Sequence, residues 1–376
     1  MPIIVNIARD DFLSGLASLL NISSKRGTIA ILSNVLIKTV NDSVELTCTD
    51  LEIGLRCTLP AEIYSEGSIT LPCKKLFEIV REAGCSHIHL EEKDKSWVKV
   101  SVATGDYNIA GMEQDEYPNF PEYDENGLVV IEAEQIRQLI EKTHFSMASD
   151  GESQFSLVGT LVEKIKDDST SMLRFVSSDG HRLSLMQEDI GDKLDNLNIG
   201  KNTLIPKKGI QEINKFCEGM GNIAFSFEEK QAVFKTDKAI LIIRLLSGEF
   251  PDYSSLINII NREKFIEVDK VSLINAFRRM NLFAEDKFNI VQFSLNAGKI
   301  TLSSQSMDIG NAREDLDVEY EGEEIQMGFN GKYFIETLSV MQSDTVKIFI
   351  SSNESPCMIL SDKDPEFVSI IMPMHL

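Results

Sequence analysis

The sequence predicts an α+β protein built from three divergent copies of one unit, each with two helices packed on antiparallel sheets. Three observations carry this: a strand-then-helix opening that occurs three times, a second helix that follows each opening at similar spacing, and short alternating apolar segments between the two. The openings are Ile3-Ile4-Val5 before Phe12, Leu13, Leu16 and Leu20, then Val129-Val130-Ile131 before Ile136, Leu139 and Ile140, then Phe265-Ile266 before Leu273, Ile274 and Phe277. Acids stand where each helix begins, Asp10 and Asp11, Glu132 and Glu134, and Asp269, matching the positive end of the helix dipole.

The second helix starts at Leu71-Pro72-Cys73-Lys74-Lys75, at Ile205-Pro206-Lys207-Lys208-Gly209 and at Phe329-Asn330-Gly331-Lys332. Its recurrence gives a period of roughly 130 residues, a normal domain size. Hairpins are expected between the helices, as where Val291, Phe293 and Leu295 meet Asn296-Ala297-Gly298-Lys299 before Ile300 and Leu302. Aromatic-proline punctuation closes the first two copies, Tyr117-Pro118-Asn119-Phe120-Pro121 and Phe250-Pro251-Asp252-Tyr253, and the third ends on Ile371-Met372-Pro373-Met374. Boundaries near Gly127 and Arg262 divide the chain into domains 1–127, 128–262 and 263–376.

At 376 residues, 43% of them hydrophobic, the chain is too long for one core. No apolar run approaches the ~18–20 residues of a membrane span, and the N-terminus lacks the basic-then-apolar order of a signal peptide, so a soluble, cytoplasmic protein is expected. The six cysteines (Cys48, Cys57, Cys73, Cys85, Cys217, Cys357) show no C-x-x-C pair and no histidine at zinc-ligand spacing. They read as reduced, mostly buried thiols, with no metal or cofactor expected. Elbow, phosphate-loop, dinucleotide and H-E-x-x-H motifs are missing too. A catalytic reading therefore rests on Asp179 and His181 alone, with Arg182 beside them. Ser86-His87-Ile88-His89 reads as two exposed positions on an alternating strand rather than a metal pair.

The formal charge of −22 argues against a tight nucleic-acid groove binder, which would carry a basic footprint. Six windows around the expected helices (9–26, 73–84, 133–145, 206–220, 269–287, 330–342) nevertheless sum to +4. The acidity thus lies on strands and loops, and helices facing inward could hold DNA topologically. Six helices at about 9–10 Å spacing enclose too little room for a duplex. Twelve, from two chains, leave an opening near 25 Å, wider than the roughly 16 Å sum of the duplex groove depths.

Four stretches sharpen this: Thr49-Asp50-Leu51-Glu52, Ser178-Asp179-Gly180-His181-Arg182-Leu183, Gly248-Glu249-Phe250-Pro251-Asp252-Tyr253 and the tail Ile371-Met372-Pro373-Met374-His375-Leu376. In this order, on a threefold repeat covering essentially the whole chain, they resemble the bacterial sliding clamp, the beta subunit of the DNA polymerase III holoenzyme. The resemblance implies three DNA-clamp domains, helices inside and sheets outside, closed as a head-to-tail homodimer. It implies sequence-independent encirclement of duplex DNA, tethering of the replicative DNA polymerase, and binding of clamp-loader subunits through short linear peptides.

Residue by residue, the resemblance implies a peptide groove between the second and third domains. Leu157, Ser178, Gly180, His181, Arg182 and Leu183 match it from the second domain. From the segments that follow come Pro251, Ser255, Leu256, Pro356, Ile370, Met372, Pro373, Met374, His375 and Leu376. Methionines in such a cleft re-pack around varied side chains. Ser255 and His375 stand where arginine is often found and Pro356 where serine is, so peptide preference is expected to differ, with His375 adding a mild pH dependence. From the residues alone, Asp179 to Arg182 is a hairpin turn with His181 and Arg182 solvated. The resemblance further implies a subunit interface of Tyr107 and Ile109 against the partner's Leu282 and Phe283. Its DNA-facing set is Lys25, Arg26, Lys74, Lys75, Arg81, Arg137, Lys207, Lys208, Arg278 and Arg279, with Phe155-Ser156 where relatives carry two aromatics. The rival reading is a non-DNA interaction scaffold of the same three domains.

Overall fold

A computed structural model describes residues 2–23, 29–93, 96–149, 157–166, 170–284 and 289–374. Among them are seven α-helices: α1 (Arg9–Leu19), α2 (Cys73–Glu82), α3 (Ala133–Glu141), α4 (Lys207–Cys217), α5 (Ser254–Ile259), α6 (Lys270–Asn281) and α7 (Gly331–Val340). The six expected helices are present, shorter than their windows, and α5 is additional. They pack in pairs, α1 on α2, α3 on α4 and α6 on α7, so each copy of the repeat carries one pair.

Each helix buries one stripe. Cys73, Leu76 and Val80 of α2 are buried, as are Ile136, Leu139 and Ile140 of α3, the i, i+3, i+4, i+7 spacing that puts side chains on one face. In the third copy, Phe277 of α6 stacks on Phe334 of α7 with ring centroids 4.3 Å apart. Asp269 caps α6 by accepting the Ser272 N–H at 2.7 Å, and the hydrogen bonds from Ser272 hold its carboxyl below the usual range.

The chain divides into two compact units that do not coincide with the three repeats. One comprises Met1–Ile131, Asn196–Asn198 and Gly221–Arg244; the other comprises Glu132–Asp195, Ile199–Met220 and Leu245–Leu376. Strand pairing is the reason. In the first unit the 13-residue strand Ile53–Ser65 pairs with Ala239–Arg244 along one half and with Ile4–Ala8 along the other, joining first-repeat and second-repeat strands into one 12-stranded sheet. In the second unit an eight-stranded sheet runs through Arg182–Asp189 of the second repeat into Phe367–Ile371 of the third, in antiparallel register Arg182↔Ile371 and Leu183↔Ile370. Edge strands satisfy their backbone groups on a neighbouring repeat instead of on water. A separate four-stranded sheet holds the expected hairpin, Ile290–Asn296 against Lys299–Ser306, with Gly298 at φ +80° in the turn.

The aromatic-proline segments are docking points. Tyr117 is buried, and its hydroxyl lies 3.2 and 3.1 Å from the carbonyls of Asn34 and Thr47. Tyr253 is buried and lies 3.2 Å from the Arg174 guanidinium, which donates to its hydroxyl, while that hydroxyl donates to Glu163. Burial, then the Glu163 contact, pushes the Tyr253 phenol up to about 12. Cys48, Cys57, Cys73, Cys217 and Cys357 are buried free thiols and Cys85 is half-buried, as expected. His87 is exposed and His89 half-buried on the strand His87–Glu92, alternating with buried Ile88 and Leu90. Among the described residues no group of His, Cys, Asp or Glu is placed to hold a metal, and no helix is long and apolar enough to cross a membrane.

Candidate functional site

The groove begins with the turn between strands Ser171–Ser178 and Arg182–Asp189. Asp179 Oδ1 accepts the backbone N–H groups of His181 at 2.9 Å and Arg182 at 3.0 Å. Gly180 sits at φ +87°, a left-handed conformation cheap only for glycine. Ser178 Oγ donates to the Arg182 carbonyl at 2.7 Å and accepts the Gly180 N–H at 3.1 Å. Beyond the strand pair the tail stays attached: the Met372 N–H donates to the His181 carbonyl and the Met374 N–H to the Gly328 carbonyl, each at 2.8 Å.

Opposite this turn, Tyr253 anchors the start of α5, and together they enclose a cavity of about 310 Å³. Eight of the expected groove residues line it: Ser178, Gly180, Arg182 and Leu183 from the turn, Ser255 and Leu256 from α5, and Ile370 and Met372 from the tail. Asp252 and Ile259 also line it. Ile259 is 70% exposed, an apolar side chain open to a partner. Its helix spans six residues, too few for a periodicity signal, and the Phe-Pro-Asp-Tyr motif reads as punctuation. Beneath the cavity Leu183 and Ile370 belong to one cluster with Val176, Leu185, Tyr253 and Met358, so the groove floor is also the core joining second and third repeats.

Arg182 corrects the expectation of a solvated turn arginine. It is 8% exposed; its Nε donates to Asp179 Oδ2 at 3.0 Å, and its two terminal nitrogens donate to Glu336 of α7 and to the Phe145 carbonyl. Its guanidinium also lies over the Tyr333 ring at 4.2 Å. Arg182 therefore clamps the second-repeat turn to the third-repeat helix. Asp179 is spent on the turn and on Arg182, so the pair with His181, which is exposed, offers no freed base.

The remaining groove candidates lie outside the cavity lining. Leu157 is buried behind Gly180, Pro356 is buried, Pro251 and His181 are exposed, and Pro373 and Met374 are half-buried. His375 and Leu376 lie outside the described residues, as do Lys25, Arg26, Phe155 and Ser156.

Tyr107 is 47% exposed on Gly105–Ala110, an edge strand of the 12-stranded sheet, while Ile109 is buried in that sheet at 8%. Leu282 is 70% exposed just beyond α6, and Phe283 is half-buried. On α2, Lys75 pairs with Glu78 at 2.8 Å, Lys74 with Glu78 at 4.0 Å and Arg81 with Glu82 at 2.9 Å. Arg137 of α3 holds Glu134 at 3.2 Å and Glu141 at 2.7 Å. Arg279 of α6 pairs with Glu314, whose carboxyl it holds below the usual range. Lys207 reaches the Ala148 carbonyl at 3.4 Å, Lys208 is half-buried and Arg278 is exposed. The basic helix residues are thus present, but most sit beside an acid.

Three family models cover nearly the whole chain: the DNA polymerase III beta subunit N-terminal domain over residues 3–121, its central domain over 130–252 and its C-terminal domain over 260–375. The chain is 28% identical to the beta sliding clamp of Chlamydia pneumoniae over 348 residues, covering 93% of this chain and 92% of that one. It is 27% identical to that of Chlamydia muridarum over 371 residues, covering 98% of each. Among solved structures, the DNA polymerase sliding clamp of Bacillus subtilis matches with a TM-score of 0.90 at 26% identity over 100% of both chains. The C. crescentus beta sliding clamp, solved with PEG bound, matches with 0.91 at 25% identity over 100% of both. With all three domain models matched in order on a threefold repeat of helix pairs and sheets, the chain belongs to the DNA polymerase III beta subunit family.

Proposed function

We propose that this chain is a DNA sliding clamp: two copies close head to tail around duplex DNA, and the cavity beside Gly180 holds a short peptide of the DNA polymerase or the clamp loader. Repeat boundaries near Gly127 and Arg262 belong to this reading. The observation that carries it is the apolar cavity lined by Leu183, Leu256, Ile259, Ile370 and Met372 at the second-to-third repeat junction, in a chain whose three domains all match the family. A cavity of that size takes one or two large side chains, which suits a tethered peptide.

Ring closure follows from counting helices, since one chain's three pairs surround too little room for a duplex. The edge strand bearing Tyr107 in one unit and the exposed Leu282 in the other are the surfaces this reading offers for joining. Basic residues on α2, α3, α4 and α6 then face phosphates. Their pairs with neighbouring acids lie at or near the surface, where water and salt screen them, so a phosphate can replace the carboxylate and be released again. Contacts of this kind are sequence-blind and permit movement along the duplex. Charging Leu282 and Phe283 together (L282D/F283D) should give monomers by light scattering with the circular-dichroism spectrum unchanged. A dimer that survives both charges contradicts the ring geometry.

A further inference from the structure

Among the described residues, two ionisable side chains line the cavity, Arg182 and Asp252, and they are not equal. Arg182 is buried, and all three of its guanidinium nitrogens are engaged, two of them by the carboxylates of Asp179 and Glu336. Its positive charge is more than matched within the chain and is not offered to a ligand. Asp252 is exposed at the rim, and its Oδ1 accepts the Ser254 N–H at 3.0 Å. Among the described residues no Lys, Arg or His forms an ion pair with it. Ser255, also lining the cavity, is neutral.

Resting on the peptide-groove reading above, we infer that Asp252 sets the specificity of this cavity, favouring peptides with a lysine or arginine next to the apolar anchor and disfavouring those with an acid there. The apolar side chain fills the space between Leu183, Leu256 and Met372. A cation one or two residues away meets Asp252, which gains a partner without either group leaving water completely. An acid in that place would face Asp252 with no free cation among the described residues lining the cavity to receive it, and like charges brought together lower affinity. The net charge of −22 attracts any cationic peptide at long range. Replacing one carboxylate barely changes that field, so the contribution of Asp252 is separable from it.

The test uses three fluorescent peptides that share a Leu-Phe anchor and carry Lys, Gln or Asp beside it, titrated by anisotropy against the full-length protein, D252N and the control E229Q, an exposed acid that does not line the cavity. Asn at 252 keeps the acceptor for the Ser254 N–H, so the turn is preserved. The expected order is Lys, then Gln, then Asp, with about a fivefold span at low salt that shrinks by 0.5 M salt. The span should collapse in D252N and persist in E229Q. An Asp peptide that binds as well as the Lys peptide, or a span that survives D252N, overturns the role of Asp252 while leaving the groove intact. Failure of all three peptides to bind the unmodified protein overturns both.

Discussion

At the scale of single residues, the junction of second and third repeats depends on two buried cations. Arg182 is one; Lys142, just after α3, is the other, in a buried ion pair with Asp364 of the third repeat. Burial raises the Asp364 carboxyl, but hydrogen bonds from Lys142, from Ser361 Oγ at 2.6 Å and from the Gln342 N–H at 2.8 Å outweigh it and hold it below the usual range. Lys142→Met leaves that carboxylate buried without its cation and should cost about 3 kcal/mol in urea unfolding. A folded value below the unfolded one, about 3.9, means the contribution is fully present above pH ~4 and is lost as pH falls through the folded value. Asp364→Asn should therefore flatten acid unfolding in that window, and an unchanged profile would remove Asp364 from it. Neither cation's role was legible in the sequence. Asp179-Gly180 marks a turn by its chemistry, but which residues meet Arg182 depends on α7, more than 140 residues away, and no local pattern encodes that.

At the scale of elements, what was legible is what repeats locally. The three opening helices follow from apolar spacing and acidic starts, the three second helices from the recurrence of their opening residues, and the hairpin after Ile290 from alternation around Asn296-Ala297-Gly298. Helix ends were overestimated because the apolar pattern continues past the last turn, as from Leu19 to Ile22, which is buried without being helical. The joining of repeats through Ala239–Arg244 on Ile53–Ser65 and Phe367–Ile371 on Arg182–Asp189 was not legible, because strand partners are chosen by tertiary packing. One helix pair makes a direct prediction. Gly331 begins α7 where a Cβ would collide with the Asn281 side chain and lie 2.9 Å from Val291 Cγ2. Gly331→Ala should destabilise the third repeat by about 1–3 kcal/mol in thermal or urea unfolding, against near-neutrality for Ala at exposed Gly221, where nothing lies within 4 Å.

At the scale of the whole molecule, the acidity that argued against DNA binding becomes intelligible if attachment is topological. A chain of net charge −22 whose helix cations are largely paired with acids cannot grip phosphates tightly. A closed ring has no need to grip; it must only be unable to leave. Retention should then depend on DNA topology and hardly on salt, the reverse of an electrostatic binder. The most direct measurement loads the protein onto a nicked circular plasmid with a cognate loader, isolates the complex by gel filtration in 0.5 M salt, and compares retention before and after one restriction cut. A ring predicts near-complete retention on the circle and rapid loss from the cut, linear molecule. Equal loss from both would contradict it.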